Sequence, residues 1–225
     1  MSSHLQLPGI WNLRDLMGHG GLGKGVLLRS DSPHRLSAAS WQVLVECGVG
    51  TVIDLRTSAE AEKAFAHGPL ARRHVPLEEG LQEGPVMQSW FQDGRIATPL
   101  YYASFTETWP ERVSEALTAI TNADGGVLVH CKKGCDRTGM IVALILEALD
   151  TPREAIIGDY LRTADNLARP VARDLDIPDD TEMINAVLAR YDTTFEEALN
   201  GYLDDAADFL APHRKPLRRK LLASV

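Results

Sequence analysis

The chain is poor in cysteine, has no excess of positive charge and contains no long apolar run. Three cysteines in 225 residues, Cys47, Cys131 and Cys135, are too few for a disulfide framework and point to a reducing compartment. A net charge of -8 argues against a general nucleic-acid binder, because the phosphate backbone rewards basic surfaces; a local positive pocket stays possible. No apolar stretch approaches the roughly 18 residues that span a bilayer, so no stable membrane insertion is expected. Residues 1–9 lack a basic segment followed by an apolar one, so no signal peptide is indicated. The expectation is a cytoplasmic protein, with export by a route lacking a cleaved signal left open. No internal repeat is visible.

What is present is ordinary globular material: 44% hydrophobic and 24% charged residues. The length suits a single domain over 1–225, with a helical C-terminal part at 152–225. Five glycines between Gly18 and Gly25 precede a short strand candidate at 26–30. Ser37 is placed to cap a helix running to Cys47, with Trp41, Leu44 and Val45 on its apolar face and Gly48 as its stop. Thr51-Val52-Ile53-Asp54-Leu55-Arg56 reads as a buried strand, 58–66 as helical, and 74–77 as another short strand. Residues 78–99 hold three glycines and two prolines without clear periodicity and read as a mobile surface segment. Residues 101–122 read as helical, with Pro110 tolerated near a first turn or marking a bend. After Pro152 the chain reads as helical, interrupted near Pro170 and Pro178. Alternating strands and helices predict an α/β, three-layer fold with a central, largely parallel sheet flanked by helices.

The most informative segment is His130-Cys131-Lys132-Lys133-Gly134-Cys135-Asp136-Arg137-Thr138-Gly139. The apolar Val127-Leu128-Val129 leads in and a helical run from Met140 leads out. A strand, a tight loop and a helix N-terminus make an anion cradle, since unpaired amides and the helix dipole converge there. A helix N-terminus and a nearby cation favour the thiolate form of a cysteine, so Cys131 is the candidate nucleophile on phosphorus, forming a phosphocysteine that water then hydrolyses. Arg137 has the fork geometry to grip two phosphate oxygens. The amides from Lys132 to Arg137 supply further donors, and Gly134 gives the backbone freedom to turn them inward. The Thr138 hydroxyl suits stabilisation of the departing thiolate. His130 is expected to orient the loop from behind.

His-Cys-x5-Arg-Thr-Gly resembles the signature of cysteine-dependent protein tyrosine and dual-specificity phosphatases. It is most similar to the bacterial tyrosine phosphatases whose loop reads HCxxGKDRTG, a group acting on phosphoinositides as well as phosphoproteins. Asn12-Leu13-Arg14-Asp15-Leu16 resembles that family's NxRDL element, Leu28-Arg29-Ser30 its LFRS strand and Val52-Ile53-Asp54-Leu55-Arg56 its VxDLR strand. Asp159-Tyr160-Leu161 is similar to a helix that follows the loop. The resemblance covers a core of about 8–165. It implies a phosphatase-like fold, phosphate-monoester hydrolysis with phosphotyrosine protein favoured as substrate, no cofactor and no metal.

The resemblance makes Asp136 and Asp54 both eligible as the general acid, and leaves the choice open. Lys132, Lys133, Gly134, Cys135, Thr138 and Gly139 are the candidate substrate contacts. The family's loop lysine before the aspartate is Cys135 here, which puts phosphoinositide activity in question. It also places a second thiol near Cys131, where it would be able to trap an oxidised nucleophile as a disulfide. Alternative readings are a phosphoinositide or small-metabolite phosphatase, or a catalytically silent phosphate-binding or redox-sensing module. The oligomeric state is open. Gly18–Gly25 superficially fits nucleotide-binding glycine patterns, but a strand follows where a helix is required, so a hairpin turn is expected. The basic end at 214–220 reads as a solvated helix terminus, with a weak membrane-surface or acidic-partner contact as the sharper option.

Overall fold

Val127, Leu128 and Val129 are apolar in succession because the strand that carries them is covered on both faces. That strand, β5 (Gly126–His130), is the middle one of five. The computed structural model describes residues 5–63, 68–167 and 181–223. The other strands are β1 (Arg14–Asp15), β2 (Leu27–Ser30), β3 (Val49–Asp54) and β4 (Ala71–His74), in the sheet order β1-β2-β5-β3-β4. All neighbours are parallel except β1 and β2, which pair antiparallel through Arg14 and Arg29. The glycine-rich segment is the connection between those two strands, fastened where the Asp15 carboxylate accepts the amides of Met17 and Gly25.

Side chains alternate across the sheet. Leu28, Val52 and Leu128 meet Trp41 and Leu44 of α1 (Ala38–Glu46), with Ile10 and Leu13 from the N-terminal segment. Leu27, Ile53, Val127 and Val129 face the larger core. Helices α4 (Pro99–Thr108), α5 (Pro110–Thr121), α6 (Asp136–Ala148) and α7 (Arg153–Leu167) contribute to that core, as do α9 (Phe195–Asp205) and α10 (Ala207–Leu222). The result is the three-layer, largely parallel α/β architecture expected. Helix α6 is apolar nearly all round because it runs through the middle of that core.

Local signals account for most element ends. Ser37 caps α1 by accepting the Ser40 amide, and Gly48 follows it at φ 94°. The helix read at 58–66 is α2 (Ser58–Lys63), and 64–66 lie outside the described residues. The interruptions read at Pro170 and Pro178 lie outside them too. Two expectations are corrected and one is made specific. The strand read at 74–77 lies earlier, at Ala71–His74. The helical stretch at 101–122 is divided at Pro110 into α4 and α5, separated at Trp109 (φ -132°, ψ 59°), because Pro110 has no amide to continue the first and suits the start of the second. The segment read as mobile contains α3 (Pro85–Gln92), whose Met87 and Trp90 are buried against the large core.

The C-terminal part, with α8 (Thr181–Arg190) preceding α9 and α10, shares the main core through Leu199, Tyr202, Leu203, Leu210, Leu217 and Leu221. Its basic end is tied to the fold. Arg214 and Arg218 pair with Asp150, and the Lys220 Nζ donates to the carbonyls of Ala123 (2.6 Å) and Gly125 (2.9 Å).

Candidate active site

In a parallel sheet the strand ends carrying loops to one edge are where ligands collect. Here β2 ends at Ser30, β3 at Asp54 and β5 at His130, side by side. Cys131 follows β5, and α6 begins at Asp136. The five residues between form the loop.

The loop's carbonyls are turned into the protein. Lys132 O accepts the Ser32 amide (3.0 Å), and Lys133 O and Gly134 O both accept from the Asn12 Nδ2 (3.1 Å each). Gly134 O also accepts from Arg29 Nη2 at 2.6 Å. In a trans peptide the next N–H points opposite to the carbonyl, so the amides of Lys133, Gly134 and Cys135 are directed away from these anchors. Gly134 sits at φ 70°, and a Cβ there would lie 2.2 Å from the Ser30 carbonyl oxygen. Both facts demand glycine.

The anchors are themselves held. Arg14 donates to Asn12 Oδ1, which leaves the amide nitrogen to reach the loop. Arg14 Nε meets Asp159 Oδ1 at 2.6 Å and Arg29 Nη1 meets Asp159 Oδ2 at 2.7 Å, all three groups buried. Burial alone would raise the Asp159 pKa, but the two arginines hold it well below the usual carboxylate range. Asp31 accepts the amides of Trp11 and Asn12, and burial pushes its pKa up to about 6. Three of the four segments singled out in the sequence, those of Asn12–Leu16, Leu28–Ser30 and Asp159–Leu161, thus converge behind one loop.

In front of the loop is a cleft of about 510 Å³, and Cys131, Lys132, Lys133, Asp136 and Arg137 all line it. Arg137 presents both terminal nitrogens to Glu60 of α2, Nη1 to Oε2 at 2.6 Å and Nη2 to Oε1 at 3.0 Å. Glu78 Oε2 lies 3.3 Å from Nη1. Neither glutamate was expected from the sequence. Glu60 was legible only as the last residue of a capping box, Thr57-Ser58-Ala59-Glu60, in which the Thr57 amide donates to the Glu60 carboxylate and the Glu60 amide to the Thr57 hydroxyl.

The two candidate acids differ sharply. Asp54 is fully buried and receives Arg56 on both oxygens (2.9 and 2.7 Å) and Arg72 on Oδ2 (2.8 Å). Burial would raise its pKa, but the Arg56 hydrogen bonds prevail and hold it well below the carboxylate range. At neutral pH it has no proton to give, so the structure argues against Asp54 as the acid. Asp136 stands at the cleft. Burial pushes its pKa up to about 6, against the opposing pull of Arg137, and its Oδ1 has no hydrogen-bond partner among the described residues. His130 is buried behind the loop with Nε2 3.7 Å from Asp54 and Nδ1 3.1 Å from the Cys131 carbonyl oxygen. Burial pushes its pKa down to about 4, so it is neutral at pH 7.

Three further candidates turn away from the cleft. The Cys135 Sγ lies 3.1 Å from the Tyr160 hydroxyl, and burial pushes its thiol pKa up, so it is a core thiol and not a substrate contact. Thr138 is fully buried, its hydroxyl without a hydrogen-bond partner among the described residues, Cys131 included. Gly139 makes room for a ring, since a Cβ there would meet Tyr160 Cε2 at 2.6 Å. Its role is packing.

Similar proteins are known. The chain is 29% identical over 247 aligned residues to the triple specificity protein phosphatase PtpB of Mycobacterium tuberculosis, covering 94% of this chain and 88% of that one. It is 30% identical to a tyrosine-protein phosphatase of Nostoc commune over 58% of this chain and 45% of the relative. Among solved structures it is similar to P. aeruginosa TpbA, at 17% identity and a TM-score of 0.44 over 92% of this chain and 96% of that one. A family model described as "Tyrosine phosphatase family" matches residues 5–223, the whole of the sheet, the loop and the C-terminal helices, and the chain therefore belongs to the tyrosine phosphatase family.

Proposed function

We propose that Cys131 is the nucleophile, Arg137 the phosphate-gripping group and Asp136 the general acid in hydrolysis of phosphotyrosine on proteins. The observation that supports this most is the meeting of Cys131 and Arg137 in one cleft, over a loop whose carbonyls from Lys132 to Gly134 are anchored behind it. In the first step the Cys131 thiolate attacks phosphorus, the phosphorus–oxygen ester bond breaks, and Asp136 gives its proton to the departing phenolic oxygen. Arg137 exchanges its carboxylate partners for two phosphate oxygens, and the loop amides meet the charge that develops on the phosphoryl group. In the second step Asp136, now ionised, takes a proton from water. The resulting hydroxide-like oxygen attacks the phosphocysteine, releasing phosphate and the thiolate.

Lys132 and Lys133, which also line the cleft, are proposed to favour an anionic substrate electrostatically. Asp54 is given a structural role, fixing Arg56 and Arg72. We also infer one domain over 1–225, because the C-terminal leucines complete the core that the sheet and α6 begin. A reducing, cytoplasmic setting fits Cys47, Cys131 and Cys135, all of them free thiols.

Hydrolysis of an aryl phosphate by wild type, Cys131→Ser, Asp136→Asn and Asp54→Asn across pH tests the assignment. Cys131→Ser is expected to be inactive, and Asp136→Asn alone is expected to lose the decline of rate at high pH. Unimpaired turnover by Cys131→Ser would refute the mechanism.

A further inference from the structure

The Arg137 fork is already occupied by a carboxylate. Glu60 binds it through two oxygens, in the same two-pronged geometry that a phosphate would use. A phosphate monoester must therefore displace one carboxylate from Arg137. The two neighbours are not equally able to leave. Glu78 is fastened through its Oε1, which accepts the hydroxyl of the buried Tyr101 at 2.6 Å. Glu60 is about 29% exposed, and among the described residues the hydrogen bonds of its carboxylate besides those from Arg137 come from Thr57, on its own turn of α2, with Lys132 adding a charge interaction. Glu60 is the group that yields.

Once displaced, the Glu60 carboxylate stands at the mouth of the cleft with Glu78 and Glu79 nearby. Arg137 is then committed to the phosphate. Glu60, Glu78 and Glu79, with Asp136 deeper in the cleft, face two lysines, Lys132 and Lys133, around a bound dianion. The rim is left short of positive charge. The rest of the wall is apolar where Phe91 (56% exposed) and Ile96 stand, which suits an aromatic ring better than a second phosphate.

We propose that Glu60 is a specificity-determining residue: it competes with phosphate for Arg137 and, when displaced, selects phosphotyrosine sites flanked by lysine or arginine. The incoming basic side chain takes the carboxylate that Arg137 has released. Acidic neighbours, or additional phosphates on an inositol ring, meet the excess of carboxylates formed by Glu60, Glu78 and Glu79 and are disfavoured. This rests on the phosphatase reading above and extends it to a substrate class.

The test uses two phosphotyrosine peptides identical except for lysine or glutamate on either side of the phosphotyrosine, together with p-nitrophenyl phosphate and a short-chain phosphoinositide bisphosphate. Wild type is expected to prefer the lysine peptide by roughly tenfold in kcat/KM at low ionic strength, the preference shrinking as salt is raised. Glu60→Gln is expected to bind p-nitrophenyl phosphate with a severalfold lower KM and to lose most of the peptide preference. Equal kcat/KM for both peptides in wild type would overturn the proposal. So would a preference unchanged in Glu60→Gln, or faster turnover of the phosphoinositide than of the lysine peptide. The wild-type comparison and its salt dependence decide the matter if Glu60→Gln does not fold. Absence of any Cys131-dependent p-nitrophenyl phosphate hydrolysis would instead refute the underlying activity.

Discussion

Arg29 Nη2 lies 2.6 Å from the Gly134 carbonyl oxygen while its Nη1 lies 2.7 Å from Asp159 Oδ2, so a carboxylate on α7 fixes the phosphate-binding loop through one buried guanidinium. The loop's amides face outward only while its carbonyls are held back, which makes this a positioning contact for catalysis.

Arg29→Met is accordingly expected to lower kcat by about tenfold or more with a much smaller change in KM, because it loosens donors that act on transition-state charge. Steady-state kinetics on an aryl phosphate would show this, and a change confined to KM would contradict it. Asp159→Asn leaves Arg14 and Arg29 buried without their counter-charge, a change that typically costs about 3–5 kcal/mol. Denaturant unfolding measures it directly.

Gly134→Ala forces a Cβ to within 2.2 Å of the Ser30 carbonyl oxygen at a φ of 70°. The loop must move, and the expected outcome is loss of activity by about a hundredfold or more while circular dichroism still reports the folded chain. Activity within twofold of wild type would show that the loop tolerates the displacement.

If Asp136 is the general acid, as proposed, it sets the pH dependence. Its pKa of about 6 leaves roughly a tenth of the molecules with this carboxyl protonated at pH 7, so kcat/KM is expected to fall as pH rises above 6. Asp136→Asn abolishes that limb. Asp54→Asn keeps it and instead destabilises the fold, because Arg56 and Arg72 lose their common partner.

Stability and pH are linked with opposite signs at two sets of carboxylates. Asp159 and Asp54 have depressed values, so the stability they contribute is complete above the unfolded value near 4 and is lost as pH falls below it. Asp31 and Asp136 have values raised to about 6, so their contribution is complete below pH 4 and is lost as pH rises through 6. Chemical unfolding between pH 3 and pH 9 is expected to show greatest stability near pH 5. A monotonic rise to pH 8 would contradict the raised pair.

The sequence made the loop legible because its residues are constrained one by one: a strand end, a glycine at positive φ, an arginine one step into a helix. Strands β2, β3 and β5 were legible for the same local reason, since continuous β-branched and apolar runs admit few other readings, whereas β1 (Arg14–Asp15) and β4 (Ala71–His74) carry no such run; the first was not read and the second was placed too late. What it hid was tertiary. Glu60 reads as a helix cap until α2 is placed beside the loop. Asp54 and Asp136 are both aspartates near a predicted site, and only the positions of Arg56 and Arg72 distinguish a fixed carboxylate from the one proposed as proton donor. Helix α3 was missed because its flanking glycines and prolines outweighed two buried residues, Met87 and Trp90, in so short a stretch.

The central claim is a covalent phosphocysteine at Cys131. Rapid acid quenching of wild type turning over an aryl phosphate, followed by peptide mass spectrometry, is predicted to find a phosphoryl group on Cys131, in greater amount in a variant with slowed second step such as Asp136→Asn. Continued turnover with no phosphoryl group on Cys131, or undiminished turnover by Cys131→Ser, would contradict it.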